Sequence, residues 1–255
     1  IIDKRLPRWN LFYLKKLKDK LLRYDISKVF DLQNSSRTKF YRKFIITNTE
    51  WSSTETTLEP NQKKKDYDQD PVLDRMETQL KTSGVVTEFI KNIDLDWAIT
   101  DISRLLKQYT NNEYILLFPF CSVKHQNKKW PYFKELISEL KKNYKNKYPI
   151  LLAPGPNEIK EANKLNGKVV LDDNKAVNIK TLVSLTNKAK FIVANDTGPA
   201  HIASHLDKKG LVLFGSHTTA SKVSIENFNF KALTVQNLED LNVETVLNEV
   251  KTRLN

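Results

Sequence analysis

Cysteine is nearly absent from this 255-residue chain, which holds only Cys121. A lone thiol excludes a disulfide framework within the chain and points to a reducing compartment. Glycine is also scarce, with six residues and none before Gly84. The chain has neither a Walker Gly-Lys-Ser/Thr nor a Gly-x-Ser-x-Gly, so P-loop and nucleophile-elbow chemistries are excluded. No apolar run nears the ~18 residues of a membrane span, and no signal-type opening is present. His, Cys and acidic residues form no cluster at ligand spacing, so neither metal nor cofactor is expected.

What is present is a moderate apolar fraction, 40%, with 28% charged residues and a formal charge of +12. That composition fits a soluble protein of one or two domains. The charge is uneven. Residues 1–43 hold 13 Lys or Arg against 4 Asp. Such a surface suits nucleic acid, anionic lipid or a phosphorylated substrate, although an ordinary solvated surface in a lysine-rich chain accounts for it equally. No nucleic-acid-binding motif accompanies the charge, so nucleic acid is not the expected partner.

Hydrophobic spacing gives the organisation. Leu11, Leu14, Leu17 and Leu21 predict an amphipathic helix over 10–23, and Tyr24–Leu32 reads as a strand. The polar stretch 47–71 reads as a long loop or a partly disordered segment. A helix is predicted over Pro71–Leu80. From Glu113 the pattern becomes regular. Strands at Tyr114–Phe118, Ile150–Ala153, Val169–Leu171, Phe191–Ala194, Leu211–Phe214 and Phe230–Val235 alternate with amphipathic helices. That alternation predicts a parallel sheet covered on both faces, with ligands at the carboxyl ends of its strands.

Three loops follow strands at that edge. Residues 119–131 offer the Ser122 hydroxyl and the ammonium groups of Lys128 and Lys129. Residues 154–158 place Glu158 near a helix start, where it serves either as a helix N-terminal acid or as an acceptor for sugar hydroxyls. Residues 195–201 read Asn-Asp-Thr-Gly-Pro-Ala-His, a strand turning tightly into a helix. Asp196 or Thr197 suits the N-cap, and the helix start favours an anion such as a diphosphate. Trp130 reads as packing, and His125, His205 and His217 are assigned no role.

Together, Ser122, Lys128-Lys129-Trp130-Pro131, Ala153 to Glu158, Asn195 to His201 and Leu213-Phe214-Gly215 resemble glycosyltransferase family nine, the ADP-heptose:lipopolysaccharide heptosyltransferases of Gram-negative bacteria. Tyr24-Asp25, Asp31-Leu32-Gln33 and Ser36-Arg37 are similar to the family's N-terminal pattern. The resemblance implies an α/β protein of GT-B type, two Rossmann-like domains with the active site in the cleft between them. The expected division is an N-terminal acceptor-side domain over 1–110, incomplete here, and a nucleotide-sugar domain over 111–255.

By the same resemblance, Ser122 and either Lys128 or Lys129 contact the donor diphosphate. Glu158 holds the ribose, and Asp196, Thr197, Gly198 and His201 line the phosphates and sugar. The reaction it implies is an inverting, metal-independent displacement from an ADP-heptose-type donor. The acceptor is a lipid-linked core saccharide, and the location is cytoplasmic, peripheral to the inner membrane. Two departures stand out. The family's catalytic base lies in a Gly-Asp motif, which this sequence lacks. Either that base lies upstream of Ile1, as the missing initiator Met suggests, or it has been lost, leaving a non-catalytic sugar-nucleotide-binding relative. The chain taken alone is expected to be inactive in transfer. Phe120 also stands where a turn glycine is usual.

Overall fold

The computed structural model describes residues 3–145 and 147–254. The chain forms two compact units, Ile1–Lys91 and Asn92–Asn255.

In the first unit, α1 (Leu11–Leu21) is capped by the Asn10 side chain, which accepts from the Tyr13 N–H at 2.9 Å. Of the four leucines that predict its apolar face, Leu14 and Leu17 are buried, Leu21 is half-buried and Leu11 is exposed. Strand β1 (Lys28–Phe30) leads through α2 (Ser36–Phe44) to β2 (Glu50–Ser52), and the two strands pair in parallel. A capping box between Ser35 and Thr38 starts α2. Helices α3 (Thr54–Thr57), α4 (Lys64–Tyr67) and α5 (Val72–Thr82) follow.

The stretch 47–71 is therefore built from a strand and two short helices, where the sequence suggests a loop. A few anchors hold it. Trp51 is buried and donates from Nε1 to the Ile46 carbonyl. Tyr67 is buried and donates to the Arg75 carbonyl at 2.6 Å. The buried Gln79 amide donates to the carbonyls of Asp31 and Ser52 and joins the ends of β1 and β2. Polar composition hides these anchors, because each is a single residue.

In the second unit, α6 (Ser103–Leu106) precedes β3 (Ile115–Phe118), α7 (Phe133–Tyr144), β4 (Ile150–Leu152), α8 (Ile159–Ala162) and β5 (Lys168–Val169). A small antiparallel hairpin, β6 (Leu171–Asp172) with β7 (Lys175–Ala176), turns through Asp173 and Asn174. Both turn residues have positive φ, 46° and 60°, as a tight two-residue turn requires. Then come α9 (Ile179–Lys188), β8 (Phe191–Asn195), α10 (Gly198–His205), β9 (Gly210–Phe214), β10 (Phe230–Thr234) and α11 (Val243–Leu254).

Six of these strands form one parallel sheet in the order β10-β9-β8-β3-β4-β5. Strand β3 shows why the apolar runs are continuous. Ile115 and Leu117 join a core with Leu136, Ile137 and Leu140 of α7 and Val246 and Val250 of α11. Leu116 and Phe118 join the opposite core with Leu185 of α9 and Ala200 and Ala203 of α10. Both faces are covered, so no position can be polar without cost. Ile102 and Tyr109, before β3, pack into this second core.

The chain runs outward from β3 to β5, then returns to β8 and runs the other way. The order reverses between β3 and β8, which opens a crevice at their carboxyl ends. Glycine is required at Gly210, where a Cβ would lie 2.6 Å from both the Ile192 carbonyl oxygen and the Phe230 ring.

Candidate functional site

The loops after β3 and β8 flank this reversal, and Asn195 fixes them to each other. It is the last residue of β8 and is fully buried. Its Oδ1 accepts from the Trp130 N–H at 3.1 Å, and its Nδ2 donates to the Pro119 carbonyl at 2.8 Å. Trp130 is itself buried and donates to the Leu241 carbonyl at 2.8 Å, the packing role read from the sequence.

Between Pro119 and Trp130 the chain forms a 3-10 segment, Val123–Lys128, kinked at His125. The segment ends at Lys128 and Lys129 is extended, so the two candidate lysines point to different partners. Lys128 Nζ lies 2.6 Å from Asp196 Oδ2. Lys129 pairs instead with Glu161 and sits 5.9 Å over the Phe120 ring. Of the two lysines, Lys128 reaches the Asp196 loop. Phe120, in place of a turn glycine, needs no glycine conformation, since it is not among the positive-φ residues. Its ring packs into the core and forms the platform under Lys129.

Asp196 is a hub. Its side chain is 4% exposed and takes Lys128 and His217 on one oxygen, with His217 Nε2 at 3.1 Å from Oδ2. His201 Nε2 lies 3.8 Å from the other oxygen. Burial pushes the His201 and His217 imidazoles below their ordinary range, and Asp196 opposes the shift in both. Asp196 is thus engaged with side-chain donors and does not cap α10. Thr197 holds the N-cap position without a side-chain cap bond. The α10 N-terminus therefore keeps its positive end open.

Beside it lies a cavity of about 310 Å³, lined by Ser122, Glu158, Thr197 and Gly198 together with the apolar Phe118, Phe120, Pro154, Pro156, Val177 and Leu182. Glu158 Oε2 accepts from the Gly155 N–H at 2.7 Å, which folds the 154–158 turn and leaves Oε1 for another donor. Among the described residues nothing lies within 4 Å of a Cβ built on Gly198. Burial raises the Cys121 thiol, so the lone cysteine stays protonated at this edge.

Of the residues singled out in the sequence, Ser122, Glu158, Thr197 and Gly198 share the cavity wall. Lys128, Asp196 and His201 form the adjoining polar cluster. Lys129 lies outside both groups. Sequence reasoning missed His217 and the stapling role of Asn195. The signal for His217 was its place just past β9, the strand next to β8 at the same edge. Among the described residues no three His, Cys, Asp or Glu groups are placed to hold a metal ion.

The strand-order reversal, the open start of α10, the Lys128–Asp196 pair and the adjoining cavity thus meet at one edge of a parallel α/β sheet, the edge at which such sheets take ligands. The chain belongs to glycosyltransferase family 9 (heptosyltransferase), whose model matches residues 15–242. The fold is of the α/β, GT-B type expected from the sequence.

It is similar to the E. coli heptosyltransferase WaaC with ADP, at a TM-score of 0.67 and 19% identity, over 98% of this chain and 80% of that one. E. coli ADP-heptose lps heptosyltransferase II gives a TM-score of 0.64 and 17% identity, over 95% and 80%. The glycosyl transferase family 9 structure from Veillonella parvula gives 0.71 and 14%, over 100% and 81%. These likenesses are of fold. No curated protein matches.

Proposed function

We propose that the chain serves transfer of a heptose, or a related sugar, from an ADP-sugar donor to a lipopolysaccharide core acceptor, with inversion and without a metal. The observation that carries this reading is the cavity beside the open start of α10, with Lys128 held by Asp196 two residues before that start. The adenine occupies the apolar part of the cavity between Phe118, Pro154 and Leu182. Glu158 accepts from the ribose through Oε1, and Ser122, Thr197 and Gly198 meet the diphosphate. Lys128 supplies the positive charge that stabilises the departing ADP. Calorimetric titration tests the donor assignment. ADP is expected to bind at least about tenfold more tightly than UDP or GDP, and equal or tighter binding of UDP or GDP would overturn it.

The acceptor is lipid-linked in this reading, and the protein works at the cytoplasmic face of a membrane. No described helix is long and apolar enough to cross one. Support for peripheral contact comes from the tip of α1, where Trp9, Leu11 and Phe12 are 80%, 75% and 81% exposed. Arg5, Arg8, Lys15 and Lys16 are exposed around them. Aromatic side chains flanked by cations match an anionic bilayer surface, at about 1 kcal/mol per cation. Binding to anionic vesicles is expected at low salt and should weaken as salt rises. Absence of binding at low salt, or indifference to salt, would contradict this contact.

A further inference from the structure

His217 is a costly residue for its position. Its side chain is 6% exposed, and its Nδ1 is buried with no hydrogen-bond partner among the described residues. The ring stacks on Phe214 at 5.8 Å with an interplanar angle of 17°. A site that only needed filling would take a phenylalanine or leucine there without stranding a nitrogen. What the imidazole adds is its other nitrogen, 3.1 Å from Asp196 Oδ2. Facing a carboxylate oxygen, Nε2 carries the proton and donates.

Lys128 Nζ approaches that same oxygen at 2.6 Å. The carboxylate is nearly sealed from water, so it depends on protein donors for its charge. A diphosphate at the start of α10 competes for the lysine. Were Lys128 its only close donor, Asp196 would hold the lysine against the ligand.

We propose that His217 is a positioning residue of the donor site, the second donor on Asp196 Oδ2 that releases Lys128 to the donor diphosphate. The role rests on the ADP-sugar reading above. It acts through Asp196 and needs no contact with the ligand. Two independent features of the structure meet in it, the shared oxygen and the stranded nitrogen.

The experiment is a double-variant comparison read by ADP titration into the full chain. His217→Phe keeps the stacking on Phe214 and removes the donor. It should weaken ADP binding by about tenfold. His217→Gln places an amide N–H near the position of Nε2 and should restore affinity to within about threefold of the original. In an Asp196→Asn background, where the carboxylate charge no longer holds Lys128, His217→Phe should change affinity by less than about twofold. Urea unfolding identifies any variant that fails to fold, and His217→Leu, which also lacks the donor, replaces His217→Phe if that one fails. Unchanged ADP affinity in His217→Phe overturns the role. So does an effect of His217→Phe that persists undiminished in the Asp196→Asn background, or a folded Gln variant as weak as Phe. An original chain that binds no ADP overturns the donor reading and this role together, whereas normal binding with no effect at His217 overturns this role alone.

Discussion

Lys128 and Asp196 stand 68 residues apart in sequence and 2.6 Å apart in space, with the lysine side chain 25% exposed and the aspartate 4%. The pair joins the loop after β3 to the loop after β8, across the point where the strand order reverses. Its partners are unequally buried, and the unequal burial makes their removal unequal in effect.

Lys128→Met strands a buried carboxylate, whereas Asp196→Asn leaves a lysine that can turn to water. The Met change should destabilise the chain by about 2 kcal/mol, below the range for fully buried pairs because the lysine is partly solvated. Adding Asp196→Asn to it should recover more than half of that loss. Urea unfolding of the four proteins measures both. A double variant no more stable than Lys128→Met would show that the pair does not carry the cost assigned to it.

Two glycines separate fold from ligand. Gly210→Ala drives a methyl into the Ile192 carbonyl and the Phe230 ring, so it should cost about 2 kcal/mol or more. Gly198→Val meets open space and should leave the unfolding free energy within about 0.5 kcal/mol of the original. In the proposed donor site its branched side chain stands in the path of the diphosphate, so ADP binding should fall by about tenfold or more. A Gly198→Val protein that binds ADP normally would place the ligand elsewhere.

Acid should weaken the chain before its carboxylates titrate. Burial lowers the pKa of His201, His205 and His217 from the ordinary value of 6.5. The unfolded chain then binds more protons than the folded one as pH falls through that range, so stability is full above about 6.5 and declines below it. Asp3, which burial pushes up but hydrogen bonds from Tyr13 and Tyr41 bring down to about 2, adds a separate loss only around and below its ordinary 3.8. Unfolding free energy should therefore fall as pH drops below about 6.5, and His205→Asn should flatten the slope. A flat profile across that window would contradict the histidine assignment.

Asn195 should resist replacement even by its closest relatives. Asn195→Ala leaves the Trp130 N–H and the Pro119 carbonyl without the partners they have at 3.1 and 2.8 Å in a fully buried site. The expected cost is about 2–4 kcal/mol. Asn195→Asp supplies an acceptor for Trp130 but faces Pro119 with another acceptor, so it should be no better. A cost under about 1 kcal/mol in denaturant unfolding would mean that the two loops are held by other contacts.

Much of the second unit was legible in the sequence because β3, β8 and β9 are covered on both faces and read as unbroken apolar runs. Legibility ended where one residue decides. Val169–Leu171 reads as one strand, but the chain leaves the main sheet after Val169 and turns back through Asp173 and Asn174. The first unit hides Trp51, Tyr67 and Gln79 in a polar background. At the site, composition supplied the loops but not the direction of adjacent side chains. Lys128 and Lys129 are equivalent in the sequence, and the end of the 3-10 segment between them parts them. His217 went unassigned because Asp196 reads as a phosphate-facing residue, and only its three-dimensional surroundings make it a hub for donors.

The most direct measurement of the central claim, a diphosphate site served by Lys128, is calorimetric titration of ADP into Lys128→Ala and Lys129→Ala. One charge-assisted hydrogen bond contributes about 1.5–3 kcal/mol. Lys128→Ala should accordingly weaken ADP binding by about ten- to a hundredfold, while Lys129→Ala, whose ammonium is paired with Glu161, should stay within about threefold of the original. ADP affinity unchanged in a folded Lys128→Ala protein, or lost only in Lys129→Ala, would contradict the account.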